Sequence, residues 1–129
     1  MQPCKSVVAY LLPGPPTANT FLGGDGNYYF VNAKALNKWM RKTFGCANPN
    51  TAIGEFFNAS SIHITKQQAG TNGANIPGLI GNAQGIYSMV WSSSIYTGHA
   101  DILYSNQTCD NGCYFDEQGL VYIDIWKLE

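Results

Sequence analysis

The chain has 129 residues and a formal net charge of -1, the size of a single domain that can bury a core without staples. Charged residues make up 12% and aromatic ones 13%, and so small a cationic content argues against nucleic acid as a partner, because phosphate binding needs a clustered positive excess. No apolar run reaches the length of a membrane span, and the N-terminus lacks the charged-then-apolar layout of a signal peptide.

Pro3 to Leu12 reads as a short helix with an apolar stripe at Val7, Val8, Leu11 and Leu12, stopped by Pro13-Gly14-Pro15-Pro16. Cys4 sits in its first turn, where free N–H groups and the helix dipole favour the thiolate. A buried or disulfide-bonded Cys4 is the even alternative. Thr17 to Gly26 reads as loop and Asn27 to Val31 as a strand. Asn32 then caps a helix from Ala33 to Phe44 whose Leu36, Trp39, Met40 and Phe44 face inward, and Gly45 ends it. Lys34, Lys38, Arg41 and Lys42 fall on one side of that helix and read as a solvated face. Cys46 lies just past the helix C-terminus, where unpaired carbonyls disfavour a thiolate. It is the weaker nucleophile, and reads as a packed thiol or a partner for Cys4.

Thr51 to Asn58 reads as a short helix with Ile53, Phe56 and Phe57 inward. Ser61 to Thr65 alternates as a strand, placing His63 opposite Ile62 and Ile64 as a hydrogen-bonded or exposed residue. Gln67 to Gly78 reads as a polar loop long enough to overhang a site. The rest is β-rich. Gly85 to Trp91 is a near-continuous apolar strand, so central and buried on both sides. The strand from His99 to Ser105 returns antiparallel, with His99, Asp101 and Leu103 on one face, and Leu120 to Trp126 closes the sheet. Cys109 and Cys113 enclose Asp110, Asn111 and Gly112, a spacing that can close as a small disulfide loop suited to an oxidising compartment. A zinc knuckle would need a second ligand pair, so neither a metal nor a cofactor is expected. Leu128-Glu129 looks like a vector scar and Met1 like an added start.

A histidine at a strand head, followed by a carboxylate in a tight Cys-x3-Cys loop, forms a Cys-His-Asp hydrolase site if a cysteine can approach it. Four patches carry a resemblance over nearly the whole chain: Cys4 with Tyr10-Leu11-Leu12; Asn27 to Val31 with Leu36, Trp39 and Phe44-Gly45; Leu79-Ile80-Gly81 through Gly85-Ile86; and Gly98-His99 with Asp101-Ile102-Leu103, then Cys109 to Cys113. In these the chain resembles the type VI secretion amidase effectors of the fourth family, peptidoglycan hydrolases.

The resemblance implies an α+β, NlpC/P60-like (papain-like) fold over a single domain, 1-129, with an N-terminal nucleophile helix and an antiparallel β-sheet. It implies an antibacterial effector, secreted and acting in the periplasm of a target bacterium. Such an effector cleaves the γ-D-glutamyl–meso-diaminopimelate bond of peptidoglycan stem peptides and is met by a cognate immunity protein. By the same resemblance Cys4 is the nucleophile, His99 the base and later acid, Asp110 the orienting carboxylate, and Cys109–Cys113 a structural disulfide. Asp101, on the strand face of His99, is the alternative orienter. Asp124 in the last strand reads as a structural hydrogen-bonding group, and Trp91, Tyr96 and Tyr114 as cleft wall or core. The family commonly has Arg and Ser where this chain has Val7 and Ala9. A non-catalytic wall-binding module on the same scaffold is therefore the alternative.

Overall fold

The computed structural model describes residues 20–22, 24–26, 28–30, 32–47, 54–92, 97–116 and 119–128. The expected Cys4 helix and Tyr96 lie outside them. The elements in chain order are β1 (Thr20–Leu22), β2 (Tyr28–Phe30), α1 (Ala33–Phe44), β3 (Ser61–Thr65), α2 (Lys66–Ala69), a 3-10 turn (Thr71–Gly73), α3 (Ile76–Ile80), β4 (Gly85–Trp91), β5 (Gly98–Leu103) and β6 (Leu120–Lys127). β1 and β2 form an antiparallel hairpin, so part of the segment expected as loop is paired. The other four strands make one antiparallel sheet in the order β3-β6-β4-β5. β6 thus fills the middle of the sheet, between β3 and β4. The architecture is mixed helix and antiparallel sheet, and among the described residues no helix is long and apolar enough to cross a membrane.

Period-two alternation divides the sheet into two faces. On one, Tyr87 and Met89 of β4 meet Ile123 and Ile125 of β6, Ile64 of β3 and Leu103 of β5, covered by Ala69, Ile76 and Ile80. Each such aliphatic side chain contributes about 1.5–3 kcal/mol by leaving water. The 67–78 stretch supplies that cover, so it is not an overhanging loop. Thr65 and Gln68 form a capping box that starts α2, and Ile76 is fully buried.

On the other face Leu36 and Met40 of α1 pack on Ile86 and Trp126, with Trp39 and Phe44 at the margin. α1 begins and ends where the sequence places it. The Asn32 side chain accepts from Ala35 N at 3.0 Å, and at the far end Asn58 Nδ2 donates to Phe44 O at 2.7 Å. The segment after α1 departs from expectation. Cys46 N donates to Phe56 O and Asn58 N to Cys46 O, both at 2.8 Å. This extended pairing commits the backbone groups a helix would need and turns Phe56 and Phe57 outward, 50% and 55% exposed. Cys46 itself is fully buried, its thiol 3.7 Å from Glu55 Oε2.

Under α1 lies a buried polar layer. Asp124 is 1% exposed; its Oδ1 is 2.7 Å from His63 Nδ1 and its Oδ2 accepts from Asn37 Nδ2 at 3.0 Å. Asn37 Nδ2 also reaches Ser88 Oγ at 3.1 Å, and its Oδ1 accepts from the Tyr122 hydroxyl at 2.7 Å. Arg41 points inward to Asp124 (3.6 Å) and Glu55 (3.5 Å), with its side chain 15% exposed, so it leaves the solvated face expected of it. The reason lies in two carboxylates, Asp124 on the sheet face beneath α1 and Glu55 in the segment after it, that a helical charge pattern does not reveal. Burial opposes the Arg41 charge, but the Cys46 contact and the Asp124 and Glu55 carboxylates outweigh it and hold the guanidinium above its ordinary value. His63 is the hydrogen-bonded strand residue expected, and Asp124 the structural group.

Candidate active site

β5 carries the candidate histidine. At Gly98 the strand runs so close to β4 that a side chain would collide with the Met89 carbonyl, a spacing only glycine permits. His99, the next residue, pairs with Met89, and Asp101 pairs with Tyr87. Both therefore share the face that bears the Tyr87–Met89 core. Beyond Leu103 the chain reverses: Tyr104 N donates to Thr108 O at 2.8 Å and Asp110 N to Ile102 O at 3.2 Å. Gln107 Nε2 ties the reversal to α3 through Pro77 O and Gly81 O. A disulfide joins Cys109 and Cys113, with Cα atoms 5.2 Å apart. Gly112 has φ +98°, and a Cβ there would press on the Tyr114 ring.

This folded-back loop brings a main-chain acceptor to the histidine. His99 Nε2 lies 3.1 Å from Gly112 O. A carbonyl can only accept, so Nε2 carries the hydrogen, and in the neutral ring Nδ1 then keeps its lone pair. The buried Tyr87 hydroxyl is 3.1 Å from the same Gly112 O and 3.1 Å from Cys113 O. The ring also meets Tyr114 edge-on at 5.0 Å and Tyr87 at 5.8 Å between centroids, and its side chain stays 23% exposed. Tyr114 adopts φ +55°, a left-handed conformation costing an aromatic residue about 1–2 kcal/mol. Its ring contact with His99 and the closed disulfide loop hold it there.

Of the two carboxylates expected near His99, Asp101 is the nearer. Its Oδ2 is 3.6 Å from Nε2, while Ile102 N (2.8 Å, to Oδ1) and Asn111 N (2.7 Å, to Oδ2) fix it in the fully buried position. Asp110 is exposed; it accepts from the Tyr104 hydroxyl at 3.2 Å and lies 3.5 Å from Asn111 Nδ2. The structure thus groups His99, Asp101, Tyr87, Tyr114 and Gly112 O, and turns Asp110 toward Tyr104. Sequence reasoning missed Tyr87, whose hydroxyl is hidden in an apolar run, and Gly112, whose contribution is a backbone atom.

No protein-family model and no curated protein matches the chain. Solved structures do. The type VI effector–immunity complex Tae4–Tai4 from Enterobacter cloacae superposes with a TM-score of 0.62 at 20% identity, over 92% of this chain and 66% of that one. Tae4 from Salmonella typhimurium bound to Tai4 from Enterobacter cloacae gives 0.58 at 17% identity, over 92% and 64%. The Tae4/Tai4 system from Salmonella typhimurium gives 0.53 at 16%, over 92% and 62%. The chain spans just under two thirds of the length of these structures. It has the fold of the Tae4 type VI effectors, the fourth amidase effector family that its sequence motifs resemble.

Proposed function

We propose that the chain is a secreted antibacterial effector that hydrolyses peptidoglycan as a cysteine amidase/endopeptidase. The observation that carries this reading is His99 itself: a partly exposed imidazole whose Nε2 lies against Gly112 O, leaving Nδ1 of the neutral ring as an acceptor without a partner among the described residues, on the Tae4 fold. In this proposal residues 1–129 form one NlpC/P60-like, papain-related domain, and the Cys4 helix brings its sulfur to Nδ1. The Cys4 thiolate attacks the amide carbon between γ-D-glutamate and meso-diaminopimelate, and backbone N–H groups at the head of its helix take the oxyanion charge. Collapse breaks the C–N bond, with protonated His99 giving its proton to the leaving amine. Water, deprotonated by His99, then cleaves the thioester and restores the thiolate. Asp101, the nearer carboxylate, stabilises the imidazolium. Asp110, which the motif resemblance assigns to that role, is the competing residue. The site acts in the periplasm of the target cell, and a cognate immunity protein closes it in the producer, as Tai4 is found with Tae4 in the solved complexes.

The test is to expose purified sacculi to the wild type and to Cys4→Ala, alongside iodoacetamide labelling near neutral pH. Fast alkylation of Cys4 and release of muropeptides that Cys4→Ala does not produce are expected. Wild-type binding to sacculi without released fragments would instead support the wall-binding module that Val7 and Ala9 leave open. In the same assay, Asp101→Asn is expected to lose more activity than Asp110→Asn.

A further inference from the structure

A cleft of about 360 Å³ opens beside the 3-10 turn, lined by Lys66, Gly70, Thr71, Asn72, Gly119 and Leu120 among others. Its position follows from the register. Leu120 pairs with Trp91, and Trp91 N donates at 2.9 Å to the carbonyl of Thr97, two residues before His99. The cleft is therefore at the same end of the sheet as His99. It is also on the same face. Ala69 and Ile76, which flank the 3-10 turn, pack with Tyr87 and Met89, and the Tyr87 ring reaches both Phe115 and His99. Only β4 intervenes between β5 and β6, which puts the Leu120 wall of the cleft roughly two strand spacings, about 10 Å, from the histidine. Lys66 follows β3 on the far side of β6, roughly three spacings, about 15 Å, away. An extended peptide covers these distances in about three to five residues.

The lining is specific in its chemistry. Lys66 is the one charged side chain in it, and among the described residues its ammonium has no carboxylate partner. Gly70 and Gly119 present only main chain to the cleft, the sides a Cβ would take being met by Asn75 and Ser92. Nothing in the lining carries negative charge. We propose that this cleft is a subsite for a free carboxylate of the peptide cut at His99, with Lys66 as its specificity-determining residue. The proposal rests on the amidase reading. It makes the enzyme selective for stem peptides whose carboxylates are free over the same peptides amidated.

The experiment is steady-state hydrolysis of two soluble stem peptides that differ only in amidation of their free carboxylates, by the wild type, Lys66→Met and Lys66→Arg. The wild type should favour the free acid by about two- to fivefold in kcat/KM, as an exposed ion pair allows. Lys66→Met should lose that preference through KM with kcat unchanged, and Lys66→Arg should keep it; Lys66 is exposed, and unchanged thermal denaturation checks the fold. A wild type that cleaves both peptides alike, or a Lys66→Met that keeps the preference, overturns the subsite alone. A wild type that cleaves neither overturns the amidase reading and the subsite with it.

Discussion

His63 and His99 occupy opposite faces of one sheet, and each has an aspartate within 4 Å, yet they are built differently. His63 Nδ1 sits 2.7 Å from a carboxylate that Asn37 also holds, and Arg41 lies 3.6 Å from it, with α1 laid across the cluster. His99 has its carboxylate at 3.6 Å, and its close partner is a main-chain carbonyl on a disulfide-closed loop. On the proposed mechanism the tighter His–Asp pair is the one with the structural task. A short carboxylate contact under a helix anchors layers, whereas a ring held by one nitrogen with the other left open can move a proton. Distance to an aspartate therefore does not by itself mark the reactive histidine; what covers the ring does.

Exchanging the two rings in turn should separate the roles. His99→Gln is expected to lower muropeptide release by about 10²–10⁴-fold, the range for losing a general acid–base group, with little change in denaturation midpoint. His63→Gln should retain activity per folded molecule and lose about 1.5–3 kcal/mol of stability, as for a hydrogen bond to a charged group. Urea unfolding and the sacculus assay read the two, and a stable but inactive His63→Gln would dissolve the contrast. The second perturbation acts on the loop alone. Cys109→Ser with Cys113→Ser, or reduction, should cost about 2 kcal/mol, since so short a closed loop constrains the unfolded chain only modestly. Activity should fall with it, because Gly112 O loses its fixed place beside His99. Unchanged activity in the double serine variant would show that the carbonyl contact is dispensable.

The smallest expected effect is on the buried side. Loss of water and then the Asp124 charge raise the Tyr122 phenol above its ordinary value, against the opposing pull of Arg41. A raised value in the folded state means the stabilisation is complete below the unfolded phenol's value of about 10 and is lost as pH rises beyond it. Stability should therefore decline above roughly pH 10, and Tyr122→Phe should flatten that decline while losing about 1 kcal/mol at neutral pH with its bond to Asn37. An identical alkaline profile in the two proteins would place the titration elsewhere.

Sequence reasoning reached the parts of this molecule that are written locally. Asn32, the Leu36 and Met40 stripe and Gly45 encode α1 to the residue. Alternation encodes β4, β5 and the face shared by His99 and Asp101. It failed where partners are distant or lack a side-chain signature. Between residues 67 and 78 the Gly and Asn content concealed short helical turns, although Thr65 and Gln68 spelled a helix start. Arg41 looked solvated because Asp124 is far away in the chain. Phe56 and Phe57 looked apolar enough to be inward, but backbone pairing with Cys46 turned them out. The atom that accepts from His99 is the carbonyl of Gly112, about which the residue type says nothing.

The placement of β6 between β3 and β4 has a consequence for how the protein is made. During synthesis the β4–β5 hairpin that carries His99 can pair on its own, but it cannot be joined to β3 until residues 120–127 have left the ribosome. A sheet in this order closes only through contacts between segments distant in the chain, which slows the final step. On the proposed function, delay of that kind leaves a window in which the protein can be escorted or exported before it is competent to act.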